Sequence, residues 1–189
     1  MTLGVVILAA GKGTRMRSSL PKVLHPLAGR PLLRHVLDSA EAVGAARVCV
    51  VYGHGGELVP QTLADADCSW VVQAERLGTG HAVQQALPAM TGVDRVLVLY
   101  GDVPLIEAET LNRLIADSSD TSLGLLPMTL ADPTGYGRIV RDGAGRVLRI
   151  VEHRDASPDE RGIAEVNSSV YVFDAAVLRS ALGRLGTDN

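Results

Sequence analysis

The 189-residue chain is 47% hydrophobic and 21% charged with a net charge of −3, a globular composition sized for one domain with a substantial core. That balance, with only six aromatic residues, sets nucleic-acid binding aside, since it supplies neither a basic field nor a base-stacking platform. Cys49 and Cys68 form no CxxC pair or zinc-type cluster and fit a reducing cytosol, and no apolar run is long enough to span a membrane.

The first apolar run, GVVILAA (4–10), has no positive charge before it and continues into a Gly-rich turn, so it reads as a buried strand rather than a signal-peptide core. The turn itself, within LAAGKGTRMRSSLPK (8–22), matches neither standard phosphate motif. Met16 stands where a dinucleotide fingerprint needs its third glycine, and the spacing and GK[ST] of a nucleoside-triphosphatase loop are absent. What remains is a strand end whose backbone N–H groups can approach phosphates, with Arg15 and Lys22 adding charge and Pro21 stiffening the turn. Of 18 basic residues only Lys12 and Lys22 are lysines, and both fall here, as a site preferring a compact ammonium to a planar fork would have it.

A helical pattern follows over 31–43, with Pro31 placed to begin it and Gly44 to end it. Strands are predicted at 46–53, 69–74 and 95–102, alternating with helices near 57–66, 80–90 and 107–117. This alternation implies right-handed βαβ units and a parallel sheet covered on both faces. After residue 122 the texture changes: an apolar run at 123–130 is followed by a hairpin over 138–152 turning at 142–145. A polar loop (153–162), another strand (164–175) and a last helix (175–185) complete the pattern. Residues 1–122 thus read as a nucleotide-binding half, and 123–189 as mixed strands around its mouth.

Asp102 ends the strand RVLVLY at a carboxyl edge, where open α/β sheets place ligands. Near phosphates it would be a natural Mg²⁺ ligand; alone it would equally serve as a turn or N-cap aspartate. Gln73, at the end of a predicted strand, carries both an amide donor and a carbonyl acceptor. His25, His54, His81 and His153 are not spaced as a metal set, and none is assigned a catalytic role. NSS at 167–169 fits a glycosylation sequon but lacks any sign of secretion.

Taken together, LAAGKGTRM and LPKVLHPLAGRPLL resemble the signature of the sugar nucleotidyltransferases. YGHGG (52–56), QAERLGTGHAV (73–83), LYGDVPLI (99–106), DPTGYGRIVR (132–141), IVEHRDA (150–156) and EVN (165–167) follow in order. The series looks like the N-terminal half of the bifunctional N-acetylglucosamine-1-phosphate uridyltransferase/glucosamine-1-phosphate acetyltransferase family. The resemblance implies an α/β, Rossmann-like three-layer nucleotide-diphospho-sugar transferase fold with a mixed, mainly parallel sheet. It also implies a cytoplasmic, Mg²⁺-dependent enzyme that converts UTP and N-acetylglucosamine 1-phosphate into UDP-N-acetylglucosamine and pyrophosphate, for peptidoglycan and lipopolysaccharide precursors.

By the same resemblance Arg15 and Lys22 are catalytic, neutralising the pyrophosphate portion and the α-phosphate. Leu8, Ala9, Ala10, Gly11, Gln73, Gly78 and Thr79 would receive the uridine nucleotide. Tyr100, Gly101 and Asp102 would contact the nucleotide sugar, with Asp102 also the metal ligand, and Gly137, Glu152 and Asn167 would hold the sugar. The family usually has Gly where Ser169 stands, which bears on the local sugar contacts. A second metal ligand, an asparagine, and the β-helix acetyltransferase domain with its homotrimer are expected beyond residue 189, which implies weak turnover by this chain alone. Two other readings stay open: a different sugar-1-phosphate nucleotidyltransferase, or a non-catalytic nucleotide-sugar binding module.

Overall fold

The computed structural model describes residues 1–11, 13, 16–75 and 77–185. They divide into two compact units, Met1–Gly124 with Tyr171–Asn189, and Leu125–Val170. In the first unit, β1 (Leu3–Ala9) is buried at every position, the signature of a strand flanked by parallel neighbours and covered on both faces. The two-residue strands β2 (Pro26–Leu27) and β3 (Arg30–Pro31) pair only with each other, while β1 pairs in parallel with β4 (Arg47–Gly53) and with β6 (Arg95–Tyr100), placing Val6 between Cys49 and Val98. β5 (Ser69–Gln73) extends the sheet in parallel beyond β4. The end of β10 (Glu165–Asp174) runs antiparallel to β6, with Val172 opposite Leu97. In this unit the sheet is therefore mixed and mainly parallel: the parallel strands are those that the alternating pattern predicts, and the antiparallel addition fits the mixed sheet that the family resemblance implies.

α1 (Leu32–Ala42) buries Leu33, Val36, Leu37 and Ala40, one apolar stripe at helical spacing. It starts one residue after Pro31 and stops where Gly44 takes φ +70°, so that the Gly44 and Ala45 N–H groups close on the Glu41 and Ala40 carbonyls. The helix predicted near 57–66 shortens to α2 (Leu58–Thr62), in which only Val59 is buried, too little apolar surface to extend it. The pattern at 80–90 divides into α3 (Thr79–Ala86) and a 3-10 turn (Leu87–Met90), because Pro88 has no N–H to continue the α-helical ladder. α4 (Ala108–Asp117) follows as expected.

Val6, Leu8, Cys49 and Val51 form one core layer with Ala82 and Val83 of α3 and with Leu178 and Leu182 of α6 (Ala175–Leu182). Alternation along β1 sends Val5 and Ile7 to the other face, where α1 packs against β1 and α4. Arg95 is a buried cation whose partners are carbonyls: its Nη1 donates to Thr121 O at 2.7 Å and its Nη2 to Ser118 O at 2.8 Å, just past α4. A cation at a helix C-terminus answers both the unpaired carbonyls and the helix dipole. Cys49 and Cys68 are free thiols, and burial pushes both up to about 11.

In the second unit, β8 (Arg138–Arg141) and β9 (Val147–Val151) form the predicted hairpin. Asp142 Oδ1 closes its turn by accepting from Ala144 N at 3.0 Å and Arg146 N at 2.9 Å. β7 (Leu123–Thr129) pairs with β10, and Ser168 Oγ donates to Leu126 O at 2.6 Å. The polar stretch expected to be a loop contains α5 (Pro158–Arg161), which a reciprocal capping box between Ser157 and Glu160 starts.

Candidate active site

The parallel strands all deliver their carboxyl ends to one edge of the first unit, and the turns leaving β1, β5 and β6 meet around a cavity of about 370 Å³. Leu8 and Ala9 come from the end of β1, with Ala10 and Gly11 just beyond it. Gln73 ends β5, Gly78 and Thr79 start α3, Tyr100 ends β6, and Asp102 lies two residues further on. Lys22 arrives from the 3-10 turn Lys22–Leu24, behind the extended Pro21. Ten residues named from the sequence thus line one cavity, together with Val23 and Ala82, which sequence reasoning did not select. Their signals were adjacency to Lys22 and the helical step of three from Thr79.

Lys22 Nζ donates to Asp102 Oδ2 at 2.5 Å. The opening turn brings the ammonium there: Gly13 takes φ +57°, and a Cβ on it would lie 2.9 Å from Lys22 Cβ. Only glycine accepts that conformation at that distance. Gly101 is buried behind the cavity wall, where a Cβ would crowd Leu33 Cδ1 at 3.1 Å and Val23 Cγ1 at 3.2 Å. Its N–H donates to Leu8 O at 2.9 Å, tying β6 to β1 beside Asp102. Arg15, the other predicted cation, lies outside the described residues.

Gln73 is almost completely buried, and its Nε2 donates to Gly78 O at 3.1 Å and meets His81 Nδ1 at 3.1 Å. The backbone of Gly78, with φ +96°, turns the chain from the loop after β5 into α3. Gln73 and Gly78, both of which line the cavity, are thereby joined directly.

Gly137, Glu152 and Asn167 belong to the second unit, which brings the three together. Asn167 N donates to Gly137 O at 2.9 Å, and a Cβ on Gly137 would stand 3.2 Å from Glu152 Oε1. Asn167 Oδ1 accepts from Ser169 N at 2.9 Å, in a strand where Ser169 has φ +65°. Beside them Arg138 is fully buried; its guanidinium donates to Tyr136 O, and its Nη2 meets His153 Nδ1 at 3.2 Å. No group of three or more His, Cys, Asp or Glu side chains suited to a metal occurs among the described residues. No helix among them is long and apolar enough to cross a membrane.

The chain is 62% identical over 185 residues to the bifunctional protein GlmU of Azoarcus sp. (strain BH72), covering 98% of this chain and 41% of that protein. The bifunctional protein GlmU of Azotobacter vinelandii (strain DJ) is 58% identical over 189 residues, covering 100% of this chain and 41% of its own. The chain therefore spans about two fifths of the length of these curated relatives. Among solved structures, a protein described as a glucose-1-phosphate thymidylyltransferase from Bacillus anthracis superposes with a TM-score of 0.79 at 20% identity, covering 98% of this chain and 79% of that one. That likeness places the chain in the nucleotide-diphospho-sugar transferase fold. The model of the MobA-like NTP transferase domain matches residues 5–136, the span that carries the whole cavity, and the chain belongs to that family.

Proposed function

We propose that the chain is the part of a GlmU-type enzyme that transfers a uridylyl group from UTP to N-acetylglucosamine 1-phosphate. The observation that carries this reading is the meeting of Lys22 and Asp102 with Gln73, Gly78 and Thr79 in a single cavity. The similarity to bifunctional GlmU proteins supports the choice of base and sugar. In the reaction, a phosphate oxygen of the sugar phosphate forms a bond to the α-phosphorus of UTP. The bond from that phosphorus to the bridging oxygen breaks, and pyrophosphate leaves. No protein nucleophile is required, so the residues act by positioning and by neutralising charge.

Lys22 supplies a point charge to the α-phosphate, and the strand-end backbone from Leu8 to Gly11 lies against the nucleotide. Arg15 would act on the pyrophosphate portion. Gly137, Glu152 and Asn167 would bind the sugar, with Glu152 accepting from hydroxyl groups and Asn167 both donating and accepting. Tyr100 and Gly101 complete the proposed contacts to the nucleotide sugar.

Mg²⁺ fits the donor set. Asp102 offers a hard carboxylate in the cavity, and the absence of any three-ligand cluster among the described residues matches an ion that takes its other ligands from phosphates and water. When bound, the ion would neutralise phosphate charge. The proposal extends to a cytoplasmic enzyme supplying UDP-N-acetylglucosamine, trimeric through a further domain of the whole protein.

Pyrophosphate release tests the reading. UTP with N-acetylglucosamine 1-phosphate is expected to outpace both dTTP and glucose 1-phosphate as alternatives, and only with Mg²⁺ present. Equal release from all sugar phosphates, or no binding of UDP-N-acetylglucosamine by calorimetry, would overturn it.

A further inference from the structure

From Gln73 in the cavity lining a hydrogen-bonded row runs back to His81 and Gln85, two residues that the proposed chemistry does not use. Gln73 is 3% exposed, so its amide must be paired on the protein side or by a ligand. Its nitrogen donates to the Gly78 carbonyl at 3.1 Å and stands 3.1 Å from His81 Nδ1. The other ring nitrogen, His81 Nε2, lies 3.1 Å from the side-chain amide of Gln85.

The proton assignment follows from chemistry. A carbonyl only accepts, so Gly78 requires the nitrogen end of the Gln73 amide. The second hydrogen on that nitrogen then points at His81 Nδ1, which must hold the lone pair. A neutral imidazole with its lone pair on Nδ1 carries its hydrogen on Nε2. That N–H needs an acceptor, so Gln85 turns its oxygen end towards the ring. The row runs in one sense, from Gln73 through His81 to Gln85, and commits both hydrogens of the Gln73 amide. What Gln73 offers a ligand in the cavity is its carbonyl oxygen.

We propose that His81, oriented by Gln85, is a positioning residue that selects the base by fixing the Gln73 amide with its oxygen as the group presented to the nucleotide. An acceptor at that place pairs with a pyrimidine whose ring nitrogen carries hydrogen, as in uracil. It opposes cytosine, whose N3 is itself an acceptor, and leaves two buried lone pairs facing each other. The inference rests on the uridine reading above. Gln85 does not line the cavity, so it reaches the nucleotide only through His81 and Gln73.

The test is calorimetric binding of UTP and CTP to the full chain and to the Gln85→Glu, Gln85→Lys and His81→Phe variants, with near-UV circular dichroism as the folding check. The unaltered chain is expected to favour UTP over CTP by about 100-fold, the scale set by leaving one buried polar group unpaired. Gln85→Glu keeps an acceptor opposite Nε2 and preserves that ratio. Gln85→Lys presents only donors there, moves the ring hydrogen to Nδ1 and is expected to lower the ratio about tenfold. His81→Phe removes the relay while keeping a ring and lowers the ratio similarly, giving a second readout if the lysine variant does not fold. Folded Gln85→Lys or His81→Phe protein with an unchanged ratio overturns the role of His81. An unaltered chain that binds both nucleotides equally, or neither, overturns the uridine reading itself and this inference with it.

Discussion

Lys22 and Asp102 stand 80 positions apart in the chain, yet their side chains meet at 2.5 Å within the cavity. The ammonium is 39% exposed and the carboxylate 27%, so water still reaches both. An ion pair of that exposure contributes at most about 1 kcal/mol to folding. In the proposed reaction its value is electrostatic placement: it would keep a cation and a carboxylate side by side where phosphate charge gathers. Lys22→Met is therefore expected to leave the melting temperature nearly unchanged while lowering pyrophosphate release by about 100-fold or more, the usual cost of removing one transition-state charge partner. Asp102→Asn should keep the fold and raise the Mg²⁺ concentration needed for half-maximal release. Steady-state kinetics beside thermal melts distinguish these losses from unfolding.

Ser169 holds φ +65° within β10, a conformation that side chains disfavour. Asn167 Oδ1 fastens the kink by accepting from the Ser169 N–H at 2.9 Å. Glycine would remove the strain at some entropic cost, so Ser169→Gly is expected to stabilise the protein by about 0.5–1 kcal/mol. Ser169→Val should destabilise it. Urea denaturation of the two variants measures both signs.

Glu160 carries the pH dependence of α5. Its carboxylate accepts from Ser157 N and pairs with Arg149, which holds it down at about 2 instead of an ordinary 4.5. A depressed acid contributes its stability above the unfolded value and loses it as pH falls through the folded one. The loss attributable to Glu160 is thus expected between pH 4.5 and about 2. Thermal melts of Glu160→Gln should be flatter over that window than those of the unaltered chain, and similar curves would remove Glu160 from the account.

Cys49 and Cys68 are raised from 9.0 to about 11, chiefly by burial. For a raised thiol the folded state favours the protonated form, so this stabilisation is present below pH 9 and fades as pH climbs towards 11. Iodoacetamide, which needs thiolate, is expected to modify neither cysteine appreciably at pH 8 until denaturant is added. Mass spectrometry of the native and unfolded protein after equal exposure reads the difference.

Much of the first unit was legible because a strand buried on both faces leaves an apolar run, as β1, the centre of β4 and β6 do, while the edge strand β5 was legible from its adjacent β-branched Val71 and Val72. The hairpin was legible for a similar reason, since Asp142 and Gly145 have few uses other than a tight turn. α5 was hidden inside a polar run, although Ser157-x-x-Glu160 is a start signal that reads at sequence level. The His81 relay was not legible. Spacing ruled that histidine out as a member of a metal set, and its hydrogen bonds exist only because α3 begins beside the end of β5.

By itself, then, the sequence determined the order and type of the main elements and the family of the chain. These follow from local causes: burial periodicity, turn chemistry and a motif whose residues are neighbours. The tertiary structure decided which distant side chains meet. Lys22 reaches Asp102, and Gln73 reaches the same cavity, because parallel strands deliver separate turns to one edge of a sheet. It also decided that the end of β10 and α6 pack with the first unit, because the apolar face of α6 is buried against α3. Such contacts depend on packing between segments far apart in the chain, and no short stretch of residues encodes them.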